Sequence, residues 1–263
     1  MLLKPPALLA AIAVSLAVPA AAAEVKVTPA IAAAVAGPAR TDADKARDRY
    51  RHPAETLSFF EVKPGQSVVE LYPGGGWFTR IIAPLEKTGQ YTAVVGNEKS
   101  KGATEKMLAD LGDKVGATKV VVFDGQKGSE FAPAGTVDRV LTFRNIHNLV
   151  EGGQAEAFFA AAYKALKRGG QLGIEEHRLP ESAPAERETK SGYMKISTVY
   201  RLATAAGFTL VGSSEINANP KDTADWPQGV WTLPPVLELG DKDREKYLAI
   251  GESDRMTLRF EKK

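Results

Sequence analysis

The side chains best suited to chemistry in this chain are three histidines and one carboxylate set in an apolar run. His52 precedes an N-terminal helical pattern, while His147 and His177 each follow a strand-like apolar segment. Imidazole titrates near neutrality, so a histidine at a strand end can take a proton from a bound nucleophile. Adjacent strands would bring His147 and His177 together over one acceptor pocket, with Tyr193 and Lys195 placed to orient the acceptor. The same pair with Glu175 or Glu176 offers zinc-type donors. No H-E-x-x-H spacing is present, and successive strand residues point to opposite faces, so no metal ligand set is expected. Glu70 lies inside V-V-E-L (68–71), where burial is costly unless something pairs with it. Cysteine is absent, which excludes thiol nucleophiles, disulfides and thiolate-bound metals.

These residues must be positioned by a regular alternation of strands and helices. The stretch V-V-E-L-Y-P-G-G-G-W-F-T (68–79) reads as a strand, a glycine turn and the start of a helix. Further strands are expected at 90–95, 119–123, 137–143, 171–175, 208–213 and 256–260. Helices are expected at 79–85, 103–111, 156–167 and 196–206, with two shorter ones at 41–49 and 54–60. That order implies an α/β fold: a doubly wound, mostly parallel seven-stranded sheet with helices on both faces and an antiparallel last strand. Ligands of such sheets bind beyond the carboxyl ends of the strands, where the order reverses.

The chain has 263 residues, 44% hydrophobic and 25% charged, with a formal net charge of +2. These values suit one soluble domain and give no electrostatic footprint for nucleic acid. Lys4, the apolar segment 7–18 and the small residues 20–23 form a signal-peptide pattern with cleavage near Ala23. The apolar segment is too short to span a bilayer, so export to the periplasm or beyond is expected, with no stable membrane insertion afterwards. Residues 24–40 read as a flexible leader. Residues 41–263 read as a single domain with an insert at about 217–253, rich in tryptophan and proline, which could close over the ligand end. Nothing in the sequence sets an oligomeric state.

A phosphate-binding P-loop pattern is missing, and a dinucleotide fingerprint fails at Thr79, where glycine or alanine is needed. The order of the remaining motifs resembles the class I (Rossmann-like) S-adenosylmethionine-dependent methyltransferase superfamily over about residues 68–174. The marks Arg51-His52-Pro53-Ala54-Glu55-Thr56-Leu57, Tyr72-Pro73-Gly74-Gly75-Gly76-Trp77 and Asn219-Pro220-Lys221-Asp222 are closest to a group of exported predicted methyltransferases. The resemblance implies S-adenosyl-L-methionine as cofactor and methyl transfer to a small-molecule acceptor. It places Glu70, Gly74 and Gly76 at the methionine part, bordered by Tyr72, which replaces the usual first glycine. It implies Asn97 or Glu98 at the ribose, Asp124 and Gly125 by the adenine, and Arg144 after strand four. Two other readings use the same residues: a catalytically silent periplasmic binding protein for an adenosine-like or amino-acid ligand, and a metal-dependent hydrolase built on the two strand-end histidines.

Overall fold

The computed structural model describes residues 25–263, so the expected signal segment through Ala23 lies outside the described residues. The chain enters through α1 (Pro29–Ala36), whose first turn is capped by the Thr28 hydroxyl accepting from the Ile31 N–H. Residues 29–36, within the stretch expected as a flexible leader, are thus helical. Ile31 is wholly buried in one cluster with Leu57, Ile81 and Ile82, and Val27, Ala30, Ala34 and Val35 pack against it at partial burial. Two short helices follow, α2 (Asp42–Lys45), closed by a Thr41–Asp44 capping box, and α3 (Asp48–Arg51). His52 then turns the chain in a left-handed conformation (φ 38°) into α4 (Pro53–Phe59).

The sheet begins with β1 (Ser67–Leu71) and continues through α5 (Thr79–Leu85), β2 (Gln90–Val95), α6 (Glu98–Leu111) and β3 (Ala117–Val122). Beyond it come β4 (Val137–Phe143), α7 (Ile146–Glu151), α8 (Ala155–Ala165), β5 (Leu166–His177), α9 (Ile196–Ala205), β6 (Thr209–Ser214), α10 (Arg244–Ile250) and β7 (Arg255–Glu261). The seven strands lie in the order β3-β2-β1-β4-β5-β7-β6. All neighbours from β3 to β5 are parallel, and β7 runs antiparallel to both β5 and β6. The doubly wound sheet expected from the alternation is therefore present. Its order reverses between β1 and β4, which is where a ligand crevice should open.

Strand alternation divides the core in two. Val69 and Leu71 face a cluster under α8 and α9 that includes Phe158, Phe159 and Leu202. Val68 faces the other, with Leu57, Phe60, Ile81, Tyr91 and Phe143 beneath α1, α4 and α5. Glu70, two residues on from Val68, belongs by its parity to this second face. The helix expected at 156–167 stops at Ala165, because Leu166 is wholly buried and pairs with Val137 as the start of β5. The helix expected from 103 starts at Glu98, because the Asn97 side chain caps it.

The insert 217–253 folds over the carboxyl end of the sheet. Its 3₁₀ turn Gly229–Thr232 and α10 flank a small apolar cluster of Leu179, Tyr193, Ala224 and Val230. Asp222 ties it down, accepting from the Tyr193 hydroxyl, the Trp226 indole and the N–H groups of Ala224 and Asp254. Among the described residues no helix is long and apolar enough to cross a membrane.

Candidate functional site

A cavity of about 500 Å³ opens at the reversal point, walled by the ends of β1, β4 and β5, by α3 and by the insert. Glu70 and the turn Tyr72–Gly75 form one side, His147 and His177 another, and Trp231, Pro234 and Val236 a third. A shallower groove of about 470 Å³ continues past Tyr72 and Gly74 to Gly96, Asn97 and Asn148.

Glu70 is 2% exposed, and its Oε2 accepts from the Tyr91 hydroxyl at 2.6 Å and the Thr79 hydroxyl at 2.8 Å. Burial pushes its pKa up to about 7, despite those two bonds and the charge of Arg144. The carboxyl is thus poised between its neutral and ionised forms. Beside it, Gly74 (φ 57°) has no atom within 4 Å of where a Cβ would stand, so its backbone lies open to the cavity. Gly76 (φ 79°) serves packing instead, because a Cβ there would collide with the Met107 sulfur of α6. Tyr72 keeps the left-handed backbone of a glycine (φ 47°) while carrying a ring against Gly96, between the cavity and the groove.

The two strand-end histidines meet, with ring centroids 5.5 Å apart. Glu176, on the opposite face of β5 from Glu175, accepts from His147 Nδ1 at 2.9 Å and from the Ile146 and His147 N–H groups that open α7. Burial lowers the His147 pKa, but the Glu176 carboxylate outweighs it and raises the imidazole above its ordinary value. His177 has no such carboxylate; its Nδ1 lies 2.6 Å from Ser253 Oγ. Burial and then the charges of His147, Arg144, Arg255 and Arg51 hold His177 well below the ordinary imidazole value, so it is neutral at pH 7. In both rings Nδ1 is engaged and Nε2 has no partner among the described residues.

Arginine surrounds this pair. Arg144 Nη1 and Arg255 Nη1 share Glu175 Oε1 at 2.9 and 3.0 Å, while Arg47 and Arg51 take the two oxygens of Glu252 at 2.7 and 2.9 Å. Burial raises the Glu252 pKa, but the charges of Arg51, Arg255 and Arg47 overcome it and hold the carboxyl at about 2. His147, Glu176 and His177 do bring three ligand-type atoms within 4.8 Å of one another. Each Glu176 oxygen already takes two hydrogen bonds, and three guanidinium groups act on His177, so a cation is poorly served there.

The remaining residues singled out from the sequence lie elsewhere or are committed. Tyr193 is fully buried with its hydroxyl on Asp222, and burial followed by that carboxylate raises its pKa. It braces the insert and does not line the cavity. Asn97 caps α6 through Ser100 N–H, and Glu98 points to solvent beside Lys101. Asp124 caps the 3₁₀ turn Gly125–Lys127 and pairs with Lys127, and the Gly125 N–H donates to Gln154. His52 serves the chain reversal before α4. Arg47, Glu252 and Ser253 escaped sequence reasoning, because their partners lie far off along the chain: 205 residues separate Arg47 from Glu252. Arg51 stood in a motif that the resemblance marked, without a role.

Neither a protein-family model nor a curated protein sequence matches the chain. Solved structures do. An S-adenosylmethionine-dependent methyltransferase from Aquifex aeolicus superposes with a TM-score of 0.54 at 18% identity, covering 65% of this chain and 87% of that one. The arsenic(III) S-adenosylmethionine methyltransferase CrArsM from Chlamydomonas reinhardtii gives 0.53 at 16% identity, with 89% and 73% covered. The fold is the Rossmann-like methyltransferase fold. It is not confined to one chemistry: the [4+2]-cyclase SpnF superposes at 0.55 with 17% identity, over 84% of this chain and 80% of that one.

Proposed function

We propose that the chain binds S-adenosyl-L-methionine and transfers its methyl group to a small acceptor, outside the cytoplasm once the segment through Ala23 is removed. The observation that carries this reading is the meeting in one cavity of a buried strand carboxylate, an open glycine turn and a neutral imidazole. The donor set fits the amino-acid half of the cofactor. Glu70 offers a carboxylate to an ammonium group, and Gly74 and Gly75 offer backbone with no side chain in the way. Of the residues expected at the ribose and adenine, Asn97 and Asp124 are engaged as caps and Glu98 faces solvent, so that half would be held by the groove between Tyr72, Gly96 and Asn145.

When bound, the cofactor supplies an electrophilic methyl on a positively charged sulfur. The chain's own residues then have three tasks. Glu70, ionised, anchors the ammonium. Tyr72, Trp231 and Pro234 narrow the cavity and exclude water from the line of attack. His177 Nε2 takes the proton of the acceptor, with Ser253 fixing the ring through Nδ1. A weakly basic imidazole suits an acceptor whose own proton is acidic.

Isothermal titration with S-adenosylmethionine and S-adenosylhomocysteine tests the reading. Both should bind one to one, and Glu70→Ala should weaken both by about tenfold or more. No heat from either compound on well-folded protein would refute it. The engagement of Asn97 and Asp124 as caps favours one second reading, a binding protein without turnover. It would show itself as binding of both compounds with no methyl transfer to any acceptor.

A further inference from the structure

Three arginines, Arg47, Arg51 and Arg144, line the cavity with Arg255 wholly buried behind them, and only two carboxylates pair with the four. Arg144 and Arg255 share Glu175; Arg47 and Arg51 share Glu252, which Arg255 also approaches at 3.4 Å. The other acids on the wall do not make up the difference. Asp44 faces Arg80, and Glu70 is bonded to Tyr91 and Thr79. Buried Arg47 Nη2 and Arg255 Nε have no hydrogen-bond partner among the described residues. Arg51 is pressed against the Trp77 ring, its charge centre 4.8 Å from the centroid, and burial followed by the charge of Arg144 lowers its pKa to about 8. A buried surplus of positive charge is costly, and an anion in the cavity would relieve the repulsion and offer Arg47 a partner.

The surplus is also one-sided. It lies where β4 and β5 end and β7 begins, while the groove toward Gly96 and Asn97 runs along β2, on the other flank of β1. A cofactor lying between Glu70 and that groove would leave the arginines to the second substrate. We propose that the acceptor is an acidic small molecule whose oxyanion, a phosphate or a pair of carboxylates, docks on Arg47, Arg51 and Arg144. This rests on the methyltransferase reading for the word acceptor, though not for the anion site itself. An anion held there also offsets the charges that depress His177, so docking strengthens the base that the same substrate needs.

Inorganic phosphate is the probe, titrated calorimetrically into the full chain, free and saturated with S-adenosylhomocysteine. The variants are Arg144→Gln and Arg47→Gln, both at partly exposed side chains, with circular dichroism to verify the fold. Phosphate should bind free and saturated protein within about threefold, and each variant should weaken it by about tenfold or more. Affinity for S-adenosylhomocysteine should change by less than about threefold in either variant. If phosphate and S-adenosylhomocysteine exclude one another, and Arg144→Gln weakens both, the guanidinium groups hold the cofactor's carboxylate and the proposal falls. It falls equally if phosphate does not bind, or binds the variants as well as wild type. Arginine-dependent phosphate binding without any S-adenosylhomocysteine heat would leave an anion site but overturn its assignment to a methyl acceptor.

Discussion

The two flanks of the glycine turn differ in what their polar side chains are free to do. On the β4–β5–β7 flank, charged groups are held by partners distant in sequence: Glu176 on α7, Glu175 under Arg144 and Arg255, Glu252 between Arg47 and Arg51. These ties leave nitrogen atoms facing the cavity. On the β2–β3 flank, Asn97 and Asp124 satisfy backbone N–H groups of the helical turns they begin, and Glu98 turns to solvent. A helix start or a tight turn needs a polar side chain locally, and one residue cannot both cap and bind. One flank keeps its polar groups in long-range ion pairs, and the other spends them on its own backbone.

The sharpest way to break this contrast is to remove one carboxylate from each flank. Glu252→Ala leaves Arg47, Arg51 and Arg255 without their shared partner and should cost about 3–5 kcal/mol in urea unfolding. Glu98→Ala, at an exposed side chain, should change stability by no more than about 0.5 kcal/mol. Equal effects would mean that the two flanks are energetically alike. The folded pKa of Glu252 is lowered, so its contribution is present above the ordinary carboxylate range and is lost as pH falls from about 4.5 through about 2.

Glu70 carries the opposite sign. Its folded pKa is raised, so stability is complete below about pH 4.5 and declines as pH rises through about 7. Glu70→Gln should therefore unfold at higher urea than wild type at pH 8, by up to about 3 kcal/mol, and match it at pH 4. A variant less stable than wild type at both values would show that the ionised form is paired within the protein. The same carboxyl should make S-adenosylhomocysteine binding tighten about fivefold between pH 6 and 7, and Glu70→Gln should flatten that rise. The smallest effect belongs to the β2 flank. Asn97→Ala should lose about 1 kcal/mol of stability as a helix cap, yet shift S-adenosylhomocysteine affinity less than about twofold.

Much of this was readable beforehand. Strand parity put Glu70 beside Val68 on one face, and the alternation of strands and helices placed Tyr72, Arg144, His147 and His177 at one edge of the sheet. Those positions follow from topology alone, since every parallel strand ends on the same side. What escaped were relations made by distant segments. An Ala- and Val-rich stretch hid α1, because only Ile31 of that helix is fully buried while small residues complete the contact. The partnership of Tyr193 with Asp222 has no local signature, and the expected catalytic tyrosine became a structural one. The capping role of Asn97 could have been read from its place before a helix, and it competes with the ribose contact that resemblance implied.

Asp222 gathers donors from β7's approach, from the segment before α9 and from the insert itself, and Glu252 and Ser253 tie the insert's end to Arg47, Arg51 and His177. A flap riveted in this way cannot swing out as a body without stripping all of those bonds at once. The open side of the cavity on the insert lies at Val236, which lines the wall and stands half exposed. A ligand of the cavity would then have to be small enough to pass that open side without displacing the insert.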